Sequence, residues 1–229
     1  MLIKEVLQMK KIGKVLKKDW IILIIIILGF GFGAYFYSSL PDRVPIHWNI
    51  EGEVNGYGTK FFGAFGLPLI NLGCYLMFII LPYIDPKKKN YEKFNSTYQY
   101  LKYILIIFLF GIQVITLLAS TGVVINIADY IQIMISLIFI LIGNVMGRFS
   151  HNYFVGIKTP WTLADEQVWK RTHRIAGPLW VIGGILNLLL TFTGIYFKKI
   201  GFIVILIIIV VIPIIYSYIL YRKIHPNMN

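Results

Sequence analysis

The chain has 229 residues, 58% of them hydrophobic and only 14% charged, with a formal net charge of +12. A mean hydropathy of +0.74 and so little charge, against about 25% in soluble domains, exclude a soluble globular protein and place the chain in a lipid bilayer. The positive residues flank apolar runs and read as topology signals, so no direct nucleic-acid partner is expected.

The first apolar run, 20–37, follows a basic stretch and precedes no small-residue cleavage site, so it reads as a retained helix. Within it, Gly29 and Gly33 have the spacing of a helix-association face. Next, Val44-Pro45-Ile46-His47-Trp48 alternates in character and Asn55-Gly56 is a turn dipeptide, which predicts a short extended or hairpin element. Its Trp48 and Tyr57, with Phe61, suit an interfacial belt.

The run 61–83 contains Cys74, the single cysteine, so neither an intrachain disulfide nor a cysteine metal site can form. Residues 87–100 read as an interfacial helix or loop. Runs 103–128 and 130–147 are separated only by Asp129 and predict a tight helical hairpin. With 175–197 and 200–221, six uncharged runs of 18 to 26 residues result, each matching the roughly 17–25 residues of a bilayer crossing. Pro68 and Pro213 predict kinks, with Ser217 available for a freed carbonyl. Asn71, Gln113, Asn144 and Asn187 predict interhelical hydrogen bonds worth about 0.6 kcal/mol each.

The interval 144–177 is the longest polar stretch of the second half. Pro160 holds Thr159 extended, and Thr162 stands at the N-cap of a helix expected from Leu163, with Asp165 three residues on. Glu166 and Lys170 form an i,i+4 pair. Trp169, His173 and Ala176 share one face and Lys170, Arg171 and Arg174 lie elsewhere, which predicts a basic amphipathic helix at the membrane surface.

Lys and Arg set the orientation. Eighteen lie before the first span, between the second and third, between the fourth and fifth, and in the tail, against four (Arg43, Lys60, Lys198, Lys199) on the other side. Both termini are therefore expected in the cytoplasm, with the His47 block outside and 144–177 inside.

No site chemistry beyond this emerges. His47 with Glu51 and Glu53, and His151 with Asp165 and His173, are loose groups without metal-ligand spacing, so neither a metal nor a cofactor is expected. No nucleophile motif or phosphate loop is present, and no catalytic residue is assigned. The span centres carry no ionisable group, which weighs against ion-coupled transport.

Two blocks carry a resemblance. Asn152, Gly156-Ile157-Lys158-Thr159-Pro160-Trp161-Thr162-Leu163, Val168-Trp169 and Thr172-His173-Arg174 before Gly177 are similar to the signature of the SdpI family, with Lys158 where that family usually has Arg. Such a change gives up a bidentate guanidinium contact. Upstream, Pro45-Ile46-His47-Trp48-Asn49, Gly52, Gly56-Tyr57 and Lys60 resemble a domain of unknown function often found ahead of that signature.

The resemblance and the residues together imply an all-α membrane protein: a six-transmembrane-helix bundle with a short extended extracellular loop and an amphipathic cytoplasmic loop helix. It is one domain, 1–229, comprising 20–83 and a four-span part, 103–221. The resemblance implies immunity to a secreted peptide toxin at the bacterial plasma membrane and, in the family's best-known arrangement, a cytoplasmic transcriptional repressor held at the membrane. The expected topology then sets His47, Trp48, Asn49, Gly52, Gly56 and Tyr57 toward a toxin arriving from outside, and Asn152, Gly156, Lys158, Thr159, Pro160, Trp161, Thr162, Trp169, Arg171, Thr172, His173 and Arg174 toward a cytosolic partner. A multi-span transporter and a membrane-embedded enzyme stay open as alternatives.

Overall fold

The computed structural model describes residues 17–49 and 51–226; Lys4, Lys10, Lys11 and Lys14 of the basic flank lie outside them. Among the described residues six helices are long and apolar enough to cross a membrane: α1 (Trp20–Tyr37), α2 (Lys60–Ile84), α4 (Asn95–Ser120), α5 (Ile127–Met146), α7 (Glu166–Leu190) and α8 (Ile195–Ile224). Two short helices, α3 (Asn90–Lys93) and α6 (Pro160–Ala164), and an antiparallel hairpin of β1 (Arg43–Trp48) and β2 (Val54–Thr59) join them. The long helices run up and down in turn. The hairpin, connector 121–126 and turn 191–194 therefore share one end, here the hairpin face, and segments 85–94 and 147–165 share the other, the signature face.

The expected spans are all present, but the third and fifth begin earlier than their apolar runs, at Asn95 and Glu166, and the third and fourth part at 121–126 rather than at Asp129, which lies in the first turn of α5. Helix α7 starts at Glu166 because Val168, Trp169, Thr172, His173 and Ala176 are buried in the bundle. The predicted basic surface helix is thus the opening of a span, with Lys170, Arg171 and Arg174 on its exposed side.

Helix α1 packs on α2 and α4. Gly33 allows this, since a Cβ there would strike the Ala64 carbonyl, the group that Pro68 leaves without its helical donor. Gly29 similarly admits Gln113, whose Nε2 donates to the Gly29 carbonyl at 2.7 Å. Asn71 donates to the Ile106 carbonyl at 3.2 Å. Asn187 reaches Ser136 Oγ at 2.8 Å and accepts from Gln132. Asn144, by contrast, is exposed.

Helices α5, α7 and α8 form the second group, in which Gly143 and Gly177 bring two backbones together. The carbonyl freed by Pro213 is that of Ile209. Ser217 does not satisfy it: Trp180 Nε1 on α7 donates to it at 3.1 Å, so the helix break is sealed by an indole from the neighbouring span.

The hairpin pairs Arg43 with Thr59, Pro45 with Tyr57 and Trp48 with Val54, and is irregular on both sides of His47. Its turn is not at Asn55-Gly56. The chain reverses between Asn49 and Glu53, where Asn49 Oδ1 accepts the Glu53 N–H at 2.8 Å and Gly52 adopts a φ of +86°. Asn55 and Gly56 lie within β2 beside His47. Gly56 is required there because a Cβ would come within 2.8 Å of His47 Cβ.

Candidate functional site

The signature face is built around a three-ring stack. The Trp169 ring lies 5.1 Å from His151 and 4.2 Å from His173, tilted 27° from each. Trp169 is 1% exposed and His173 is fully buried. Trp169 Nε1 donates to the Phe149 carbonyl at 2.8 Å. His173 Nδ1–H donates to the Trp169 carbonyl at 2.8 Å, and its Nε2 accepts the Ile157 N–H at 2.9 Å, which fixes one tautomer. Gly156 makes that approach feasible: its φ is +118°, and a Cβ would run into the His173 ring.

Asn152 folds the preceding turn with all its hydrogen-bonding capacity. Its Oδ1 accepts from the N–H of Phe154 and Val155 at 2.9 and 2.7 Å, and its Nδ2 donates to the carbonyls of Ser150 and Val155.

Two helix starts follow where the sequence predicts one, at Leu163. Thr159, not Thr162, is the N-cap of α6 and forms a reciprocal capping box with Thr162. Asp165 is the N-cap of α7, accepting the N–H of Gln167 and Val168 at 2.7 and 2.9 Å. Pro160 sits at the first position of α6, where its missing N–H costs nothing. Thr162 Oγ1 also donates to the Ile157 carbonyl at 2.7 Å.

Helix α8 locks this arrangement from the far end of the chain. Thr159 Oγ1 meets Ser217 Oγ at 3.0 Å, Trp161 packs on Tyr218, and His225 Nε2 lies 3.0 Å from Asp165 Oδ2. Burial alone would raise the Asp165 carboxyl; the Val168 N–H, the His225 ring and the Gln167 N–H outweigh it and hold the group below the usual carboxylate range.

A second support comes from the connection after α2, which carried no site residue in the sequence reading. Asp85 accepts the Tyr153 N–H at 2.9 Å, the Tyr91 hydroxyl at 3.0 Å and the Lys87 N–H at 2.7 Å. Burial and that bond to Asp85 push the Tyr91 hydroxyl far above the phenol range. Lys87 donates to His151 Nδ1 at 2.8 Å, and Asn90 donates to the His151 carbonyl at 2.7 Å. Burial, then the Lys87 charge, lower the His151 pKa. The Asp85-Pro86 pair is the one sequence signal that marks this turn.

Of the predicted inner residues, Asn152, Thr159, Thr162, Trp169, Thr172 and His173 are buried and shape the loop. Thr172 Oγ1 finds no partner among the described residues. Lys158, Pro160, Arg171 and Arg174 are exposed. Lys158 donates to a single carbonyl, that of Phe154, at 3.1 Å, a contact that needs no guanidinium fork.

On the hairpin face, His47 and Tyr57 are exposed and His47 Nδ1 contacts Asn55 Oδ1. Trp48 and Asn49 line a cavity of about 180 Å³ with Ala128, Gln132, Lys198 and Phe202. Two ion pairs border it: Lys198 with Asp129 at 2.5 Å and Lys199 with Glu51 at 2.6 Å. Gly52 lies against Ala128. The hairpin is thus anchored on the second half of the bundle. No group of three or more metal-binding side chains occurs among the described residues.

One charged pair escaped the sequence reading. Lys102, in the second turn of α4, is 1% exposed and is paired with fully buried Asp19, which also accepts from the Tyr75 hydroxyl at 3.3 Å. It holds the entry of α1 against α2 and α4.

These features define a multi-pass membrane protein with a structured loop on each face. The SdpI/YfhL family model matches residues 148–217, and a domain of unknown function, DUF1648, matches 24–72. The immunity protein SdpI of Bacillus subtilis (strain 168) is 33% identical over 211 residues, covering 92% of this chain and 99% of the relative. The chain belongs to the SdpI family. No solved structure matches it.

Proposed function

We propose that the protein is a membrane immunity factor that protects a bacterial cell from a secreted peptide toxin and does no enzymatic chemistry of its own. The observation that carries this reading is the 33% identity to an immunity protein along 92% of the chain. The hairpin face is extracellular and both termini are cytoplasmic in this reading. Its support is the Lys and Arg asymmetry, sharpened because two of the four cations on the hairpin face, Lys198 and Lys199, are paired with acids.

The toxin meets the hairpin, where His47 and Tyr57 are exposed and Trp48 and Asn49 line a cavity. Gly52 and Gly56 set the shape of that surface. On the other face, exposed Arg171, Arg174 and Lys158 and half-buried Trp161 offer the arginine and aromatic anchors of a protein interface. A transcriptional repressor held at the membrane is the partner this face serves.

An ion-coupled transporter would carry ionisable groups along a path through the membrane. The buried Asp19–Lys102 pair lies instead at helix ends, beside the signature face, where a structural role suffices. Expression in a toxin-sensitive strain tests the proposal. Survival should rise with membrane abundance of the protein, and unchanged survival at verified abundance would overturn it.

A further inference from the structure

A second cavity, about 630 Å³, opens on the signature face between the end of α2, α3 and the start of α4. That volume falls within the range of about 300–1,000 Å³ of small-ligand sites. One wall is apolar and comes from α2: Phe78, Ile79, Pro82 and Tyr83. It continues a surface on which Met77, Ile80, Tyr83 and Ile84 are all exposed, so the cavity meets the lipid-facing side of the bundle.

The rim is cationic. Lys88 and Lys89 line it, are exposed, and make no ion pair or side-chain hydrogen bond among the described residues. Lys102 also borders the cavity, but its ammonium is committed to Asp19. Among the described residues Glu92 is the one acid in the lining, which leaves Lys88 and Lys89 in excess. Gln99 also lines the cavity, and its Oε1 is buried and accepts no hydrogen bond among the described residues.

We propose that this cavity binds the headgroup of an anionic phospholipid whose phosphate carries a polyol. The phosphate meets Lys88 and Lys89, a headgroup hydroxyl donates to Gln99 Oε1, and an acyl chain lies along Phe78 and Ile79. Basic pockets between spans at a membrane surface hold acidic headgroups in this manner. The site is distinct from the toxin and repressor surfaces and does not depend on which face is cytoplasmic. Because Asp85, Lys87 and Asn90 next to it support His151 and Tyr153, a bound lipid would brace the signature loop.

Native mass spectrometry of the full chain released from detergent tests this, with phosphatidylglycerol, phosphatidylcholine and inorganic phosphate as probes. The wild type should retain phosphatidylglycerol in preference to phosphatidylcholine. Replacing both lysines (K88Q with K89Q) should weaken that binding about thirtyfold, while K93Q, outside the cavity, should leave it unchanged. Equal retention of the two lipids by the wild type, or undiminished binding by the double variant, overturns the proposal. Competition by inorganic phosphate at the same concentration would show a free-anion site and overturn the lipid. If the double variant does not accumulate, the wild-type preference alone decides.

Discussion

Lys199, near the start of α8, donates to the Glu51 carboxylate in the hairpin turn at 2.6 Å, joining residues 148 positions apart in the chain. That bond holds the Glu51 carboxyl below its ordinary range. Together with Gly52 against Ala128, it lays the hairpin across to the second helix group. Because both partners are solvent-exposed, the contact is expected to be sensitive to salt. Lys199→Glu should raise hydrogen exchange in residues 43–59, and adding Glu51→Lys should restore protection. Equal exchange in all three proteins would show that the ion pair does not anchor the hairpin.

Orientation is checked by labelling. With Cys74 replaced by Ala, a cysteine at Tyr57, which is 57% exposed, should react with an impermeant reagent on intact cells. One at Lys170, exposed on the signature face, should react only after permeabilisation. The opposite pattern would invert the topology.

The six spans were legible because a bilayer leaves an uninterrupted apolar run as its trace, and the two polar blocks stood out against it. What escaped was decided by partners remote in sequence. Thr162 reads as an N-cap, but the extended chain at Thr159 and its contact with Ser217 shift the start by one cap. Asn55-Gly56 reads as a turn, yet Asn49 and Gly52 make the reversal and Gly56 serves the packing of His47. Lys102 looks like a flank charge until Asp19 arrives from another helix. Trp169 and His173 have the look of surface anchors because the basic residues between them are exposed, while their own face turns into the bundle.

Gly156→Ala tests the signature loop. The backbone there has φ of +118°, and a side chain in such a region costs on the order of 1–3 kcal/mol before the collision with His173 is counted. The variant should unfold at a lower temperature in detergent and lose protection at Ile157. Wild-type stability would mean that the His173–Ile157 contact does not organise the loop.

Acidity should loosen the same loop. Neutral His151 accepts from Lys87 and donates to the Leu163 carbonyl, and its pKa is lowered despite the nearby Glu166 and Asp165. A depressed histidine pKa contributes stability that is complete above the ordinary value of about 6.5 and is lost as pH falls through the folded value. Hydrogen exchange across 147–165, corrected for its intrinsic pH dependence, should rise as pH falls from about 7.5 to about 5.5. His151→Gln should remove the rise. A profile that is flat in the wild type would contradict it.

Paired survival measurements address the proposed division of labour between the two faces directly. At equal membrane abundance, Trp48→Ala should lower the tolerated toxin dose about tenfold, whereas Arg171→Ala with Arg174→Ala should leave tolerance intact while releasing the proposed repressor. Full tolerance in Trp48→Ala, or loss of tolerance in the arginine variant, would contradict a toxin surface on the hairpin and a partner surface on the signature face.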